Sequence, residues 1–425
     1  MDLERGFAEY IEMLSASLKH ADRLEPFRDY CRGLILPGDR KSVEPMAARV
    51  APQEVRSKHQ SLHHFVAQAD WSDEALLTQV RTYALPRLGA IEAWIVDDTG
   101  YPKKGKHSVG VARQYCGQLG KQDNCQVAVT LSVANEAASL PVSYRLYLPR
   151  EWAEDQPRRD AAGVPKQIAF ATKPTIALEQ LRAAQAAGVA AGVVLADAGY
   201  GTETAFRDGV DALQLSYVFG IQGVVSVWTP GTAPLPPKPY RGSGRPARLL
   251  RRDKTHRPLS VKTLALELSP TAFRTIAWRE GDSGRLASRF ARVRVRAAHR
   301  DHWRASLRPE QWLLIEWPAG EPEPTKYWLS NLPETTAFKD LVRLAKLRWR
   351  IERDYQELKQ ELGLGHYEGR NWRGFHHHAS LCIAAYAFLM SCRIAARSSK
   401  KNSAALLRAP RQPSNFRPRG AAASP

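Results

Sequence analysis

Residues 344–370, LAKLRWRIERDYQELKQELGLGHYEGR, decide how this chain is read. Long unbranched side chains and the absence of proline predict one helix that stops at Gly363–Gly365. Ile351, Tyr355, Leu358 and Leu362 recur at helical spacing, an apolar stripe that must face a core. Arg348, Glu352 and Lys359 follow one another at four and seven residues, along one side of the helix close to the edge of that stripe. A carboxylate there, with a cation before and after it, is either a buried ion pair or part of a site. Arg353 and Glu357, four apart, read as an ordinary solvated pair.

Working outward, two short apolar runs deliver aspartates. Trp94–Val96 runs into Asp97-Asp98-Thr99-Gly100, and Val193–Ala196 into Asp197, followed by Ala198-Gly199-Tyr200-Gly201. Both read as strands that end in carboxylates, a recurrent place for chemistry in α/β folds. A single aspartate there is usually a cap or turn residue. Gln126–Val133 and Val142–Leu148 read as two more strands, and Thr172–Ala187 as a helix with Pro174 in its first turn. The class is therefore α/β.

The pattern divides the chain into five parts. Residues 1–85 are helical, with Ser42 and Ser72 placed as caps and Arg40, Lys41, Arg49, Arg56 and Lys58 interspersed. They make either a small DNA-binding domain or a helical subdomain that only packs. Residues 86–220 and 326–395 are the two parts of an α/β core. Residues 221–325 are a β-rich insertion between Asp197 and Glu352, with β-type stretches at 224–228, 260–268, 272–278, 291–297 and 312–316. Tyr327–Leu332 returns to the core, and Ala379–Met390 is an apolar core helix. Residues 396–425 read as a basic disordered tail.

The 62 Lys and Arg outnumber the 43 Asp and Glu, a net charge of +19, which suggests a polyanion partner and above all nucleic acid. No run of about 18 apolar residues is evident, and MDLERGFAEY has no apolar signal core, so no membrane span is expected. Five cysteines, an odd number with no zinc spacing, fit a reducing cytoplasm.

All-oxygen donors suit Mg²⁺ or Mn²⁺ rather than zinc. Asp97 or Asp98, with Asp197 and Glu352, could hold two such ions about 3.5–4 Å apart, the arrangement that serves both the attacking and the leaving oxygen of a phosphodiester. At this point the chain resembles the DDE transposases of bacterial insertion sequences, in the group with a Tyr-Arg-Glu-Lys signature. Arg348, Glu352 and Lys359 keep that spacing, and the tyrosine position is Ala345. The resemblance extends through VDDTGYPKKGKHSVGVARQYCGQLGK (96–121), NCQVAV (124–129), RLYLP (145–149) and LADAGYG (195–201). It implies an RNase H-like core, a DDE triad, and Arg348 and Lys359 on DNA phosphates near the site. The resemblance to this group, whose members often show Asp-x-Thr at this strand end, favours Asp97 as ligand, with Asp98, on the opposite face of the strand, as the alternative.

The resemblance further implies cleavage and strand transfer at the terminal inverted repeats of an element, double-stranded DNA including a target as partner, a dimer on that DNA, and a bacterial, nucleoid-associated location. The rival readings are a nuclease of the same fold without strand transfer and a non-catalytic DNA-binding derivative. Lys103, Lys104 and Lys106, just after the first aspartates, are candidate phosphate contacts. His376–His378 lack metal-ligand spacing and read as surface or DNA-facing residues. Trp278 reads as a packed aromatic rather than a platform for a flipped base. Gly110, Gly117 and Gly120 form no nucleotide loop.

Overall fold

The structure, a computed structural model, describes residues 2–281 and 284–408. Five helices open the chain: α1 (Leu3–Ser15), α2 (Leu24–Ile35), α3 (Val43–Val50), α4 (Val55–Ala67) and α5 (Asp73–Leu88). Asp2 and Ser72 cap α1 and α5 through their side chains; Ser42 stands at the start of α3 without such a bond. Then follow β1 (Ala93–Pro102), β2 (Ala112–Cys116), β3 (Lys121–Ala134) and β4 (Ser139–Leu146). After short helices α6 (Arg150–Ala153) and α7 (Gln156–Ala161) come α8 (Lys173–Ala186), β5 (Val193–Ala196), α9 (Ala198–Gly201), α10 (Thr204–Ala212) and β6 (Tyr217–Ile221).

The sheet order β4–β3–β1–β5–β6 has antiparallel pairs up to β1 and parallel pairs from β1 to β6. This is the α/β core of RNase H-like type. Alternation along β1 divides its side chains between two layers. Trp94 and Val96 join the cluster built by α1–α5, α8 and the final helix; Ala93 and Ile95 face the layer beneath the helices around residue 345.

The insertion extends this sheet. It supplies β7 (Ser226–Trp228), β8 (Leu259–Ser260), α11 (Val261–Glu267), β9 (Arg274–Gly281), β10 (Gly284–Ala297) and β11 (Gln311–Glu316). The returning strand β12 (Lys326–Ser330) pairs antiparallel with β6, so the sheet continues as β6–β12–β11–β10. Residues 261–267 are a helix where a strand was expected: Ser260 caps it, and Val261, Leu264 and Ala265 give one buried face. Trp278 packs edge-to-face on Phe290 at 5.7 Å, as read.

The expected single helix is two, α12 (Phe338–Leu347) and α13 (Trp349–Gln360), broken at Arg348. Arg348 keeps helical dihedrals (φ −55°, ψ −24°), so the interruption is local. Leu341, Leu344, Ile351 and Tyr355 belong to one cluster and Leu358 and Leu362 to the other, so α13 itself serves both layers. Fully burying each such leucine stabilises the fold by about 1.5–3 kcal/mol. The stop lies where expected: Gly363 takes φ +67°, and the Leu364 N–H closes on the Leu358 carbonyl at 2.8 Å.

Helix α14 (Trp372–Arg408) continues into the stretch read as a disordered tail; residues 409–425 lie outside the described residues. Contrary to expectation, Trp372–Arg397 is long and apolar enough to cross a membrane by length and composition. It is packed instead as the core helix against α2, α4 and α5. His376, His377 and His378 are buried in it, which corrects the surface reading. His377 bridges the Val66 and Trp71 carbonyls at 3.0 and 2.9 Å, and His378 meets the Tyr30 hydroxyl and the Gly363 carbonyl, each at 2.9 Å. These rings bolt the N-terminal helices to the core.

Candidate active site

β1 does not end at its aspartates, as the sequence suggested. It leaves its parallel partner β5 after Ile95 but stays paired with the longer β3 as far as Pro102. Asp97 and Asp98 therefore sit just past the parallel ladder on a strand still held on its other edge. Register is unbroken, so Asp97 shares the face of Ala93 and Ile95, toward α13, and Asp98 shares that of Trp94 and Val96, toward α8. Asp197 follows β5 directly. Its Oδ1 accepts from the N–H groups of Gly199 (2.9 Å) and Tyr200 (3.2 Å), capping α9. The turn is tight enough that a Cβ on Gly201 would lie 2.1 Å from the Gly220 carbonyl oxygen.

The first turn of α13 brings the third carboxylate. Arg348 donates from Nη1 to Asp97 Oδ2 at 2.6 Å and from Nη2 to Glu352 Oε1 at 3.4 Å. Asp97 is mostly buried, whereas the Glu352 side chain is 68% exposed. Burial pushes the Asp97 carboxyl up to about 7; Arg348 opposes this, while Asp197 and Asp98 add to it. Lys359 donates from Nζ to the Gly100 carbonyl at 2.9 Å, and burial brings its ammonium down to about 8. Asp98 pairs with Lys173 at the start of α8.

Asp97, Asp98, Asp197, Arg348, Glu352 and Lys359 line one cavity of about 910 Å³. Six sequence candidates are thus brought together from β1, the end of β5 and α13. Three are not. Lys103 donates to the Tyr367 carbonyl at 2.8 Å, tying the loop after α13, and Lys104 and Lys106 are exposed outside the cavity. Lys173 and Tyr200 also line the cavity and were missed. No local pattern pairs Lys173 with a residue 75 positions away. Tyr200 lay within a quoted motif, but only the fold shows its hydroxyl buried with no partner.

The sequence model of the DDE superfamily endonuclease family matches residues 13–285. The chain belongs to that family. The matched span holds Asp97, Asp98 and Asp197, and Glu352 lies beyond it. The chain is also 32% identical over 216 residues to a probable transposase for insertion sequence element IS701 from Microchaete diplosiphon. That match covers 50% of this chain and 53% of the relative, so the chain spans about half the length of the curated relative it matches.

DDE superfamily endonucleases act on DNA and generally use divalent metal ions. The donor set here suits them: three carboxylates supply hard oxygen only, and one guanidinium opposes the burial that, with the neighbouring carboxylates, holds Asp97 well above the ordinary carboxylate range. Among the described residues, no three such side chains stand close enough to hold one ion as they are. Arg348 stands among them and supplies the neutralising charge.

Proposed function

We propose that the chain is a DNA transposase, binding the terminal inverted repeats of an insertion sequence and catalysing metal-dependent cleavage and strand transfer into target DNA. The observation that carries this is Arg348, whose one guanidinium touches Asp97 and Glu352 and lies in the field of Asp197. On this reading it links three carboxylates, drawn from distant positions, as members of one catalytic centre. Asp97, Asp197 and Glu352 would hold Mg²⁺ or Mn²⁺, two ions in all, which would activate the attacking oxygen and stabilise the leaving one. Asp97 is preferred to Asp98 because its strand face is the one turned to α13, while Asp98 is engaged by Lys173.

The protein's own groups do the rest. Arg348 keeps the carboxylates neutralised and then turns to a DNA phosphate, as does Lys359 from the cavity wall. Lys104, exposed beyond the cavity, meets phosphate farther along the duplex; Lys103 anchors the loop that presents it. The helical domain, residues 1–85, grips the duplex, two copies pair the two ends, and the protein works in the bacterial cytoplasm at the nucleoid.

The test is cleavage of DNA carrying the terminal repeats that border this gene. Asp197→Asn and Glu352→Gln each remove a metal ligand and keep the shape. Both are expected to abolish Mg²⁺-dependent cleavage and to keep DNA binding and melting temperature. Full cleavage by either variant would sink the assignment. Hydrolysis by the unaltered protein with no joined product would make it a nuclease.

A further inference from the structure

Tyr200 borders the catalytic cavity, is 2% exposed, and has a buried hydroxyl with no hydrogen-bond partner. A buried donor without an acceptor is costly to keep, so the group needs a reason. Most acceptors around it are already engaged. Asp97 accepts from the Asp98 N–H and from Arg348, Asp197 accepts from two backbone N–H groups, and the Tyr355 hydroxyl is bonded to Thr130 Oγ. Asp98 has one side-chain partner among the described residues, Lys173. Burial, and after it Asp98 and Asp97, hold the proton on the phenol, so Tyr200 is a neutral donor facing carboxylates.

Lys173 is poorly placed for a permanent bond. It is the first residue of α8, where the free N–H groups and the helix dipole disfavour a cation. Its ammonium is half-buried on a flexible stem and borders the same cavity as Arg348 and Lys359. A phosphate entering that cavity competes with Asp98 for it.

We propose that Lys173 passes from Asp98 to a DNA phosphate when DNA enters, and that the Tyr200 hydroxyl then donates to Asp98 in its place. DNA as the occupant rests on the transposase reading above. Tyr200 is thus a positioning residue, which touches Asp98 and not the substrate. In the free protein Asp98 is paired and the phenol idle; in the loaded protein both are bonded. The phenol therefore favours DNA binding without contacting DNA, and it keeps Asp98 on the α8 face, away from Asp97 and α13.

The experiment measures binding of fluorescent duplexes to the full chain over a salt series, without divalent metal. One duplex ends in the terminal repeat that borders this gene and the other is unrelated in sequence. Lys173→Met is expected to flatten the slope of log affinity against log salt by about one unit on both. Tyr200→Phe keeps the ring against Phe206. It is expected to bind both duplexes about tenfold more weakly, with the salt slope and the melting temperature of the free protein unchanged. In the Lys173→Met background Asp98 is already free to accept from Tyr200. There Tyr200→Phe is expected to lower the melting temperature and to leave DNA affinity unchanged. Equal affinity of Tyr200→Phe and the unaltered protein overturns the inference, as does an unchanged slope in Lys173→Met. A tenfold loss that persists in the Lys173→Met background also overturns it, because the phenol would then contact DNA itself. If the unaltered protein binds neither duplex, the transposase reading itself fails.

Discussion

Lys359 gives DNA binding a pH dependence whose size follows from its surroundings. Burial brings its ammonium to about 8, while Asp97 and Cys116 act more weakly in the opposite direction. Only the charged form can meet a phosphate, and that contact then holds the proton in place. Apparent affinity therefore scales with the charged fraction of the free protein. That fraction is about nine-tenths at pH 7 and about one-tenth at pH 9, so affinity is expected to fall about tenfold over the interval. The assay is titration of a fluorescent duplex at constant salt across that range, in the absence of divalent metal so that no cleavage occurs. Lys359→Gln removes the titrating contact. Its affinity is expected to be lower at pH 7 and close to that of the unaltered protein at pH 9. Lys359→Arg stays charged throughout and is expected to bind at pH 9 nearly as well as at pH 7. At pH 7 Lys359→Gln also flattens the slope of log affinity against log salt by about one unit, equally on element ends and unrelated DNA. Parallel losses of affinity from pH 7 to 9 in the unaltered protein and Lys359→Gln would refute the reasoning. Lys359 would then be a structural donor to Gly100 and nothing more.

Asp97→Asn is expected to abolish cleavage and Asp98→Asn to retain a measurable rate, because alternation on β1 turns only Asp97 toward α13; the reverse result in a gel cleavage assay would move the ligand to Asp98. Buried Asp354 accepts from Ser139 Oγ (2.6 Å) and the Tyr386 hydroxyl (2.9 Å), leaves Oδ2 unpartnered, and is raised by burial to about 6. A raised carboxyl weakens the fold as pH climbs from the unfolded value to the folded one. Asp354→Asn should therefore gain about 2 kcal/mol relative to the unaltered protein between pH 4 and pH 7, read by urea unfolding; equal slopes would contradict this. Tyr200→Phe removes a hydroxyl that has no partner in the structure, so its melting temperature is expected to match that of the unaltered protein, and a clear drop would reveal a bond formed there in solution.

The stretch 344–370 alone determined much of this protein, because helical spacing is a local property. The stripe from Ile351 to Leu362 is buried, the chain stops at Gly363, and Arg348, Glu352 and Lys359 fall on one side. The runs ending in Asp97 and Asp197 likewise declared two strands, since a buried strand must be apolar whatever it pairs with. What the sequence did not contain was distance between remote positions. The two apolar layers that the stripe on α13 serves exist only once the sheet has formed. Sequence favoured Asp97 over Asp98, but which layer each one faces follows only from the strand faces they share with Ala93 and Trp94. The three histidines of α14 read as surface groups because polarity is a local cue. The fold buries them by giving their ring nitrogens partners such as Val66, Trp71 and Gly363, which no spacing rule connects to them. Lys173 became visible for the same reason: charges converge through tertiary packing, and only the packed chain sets which of them meet.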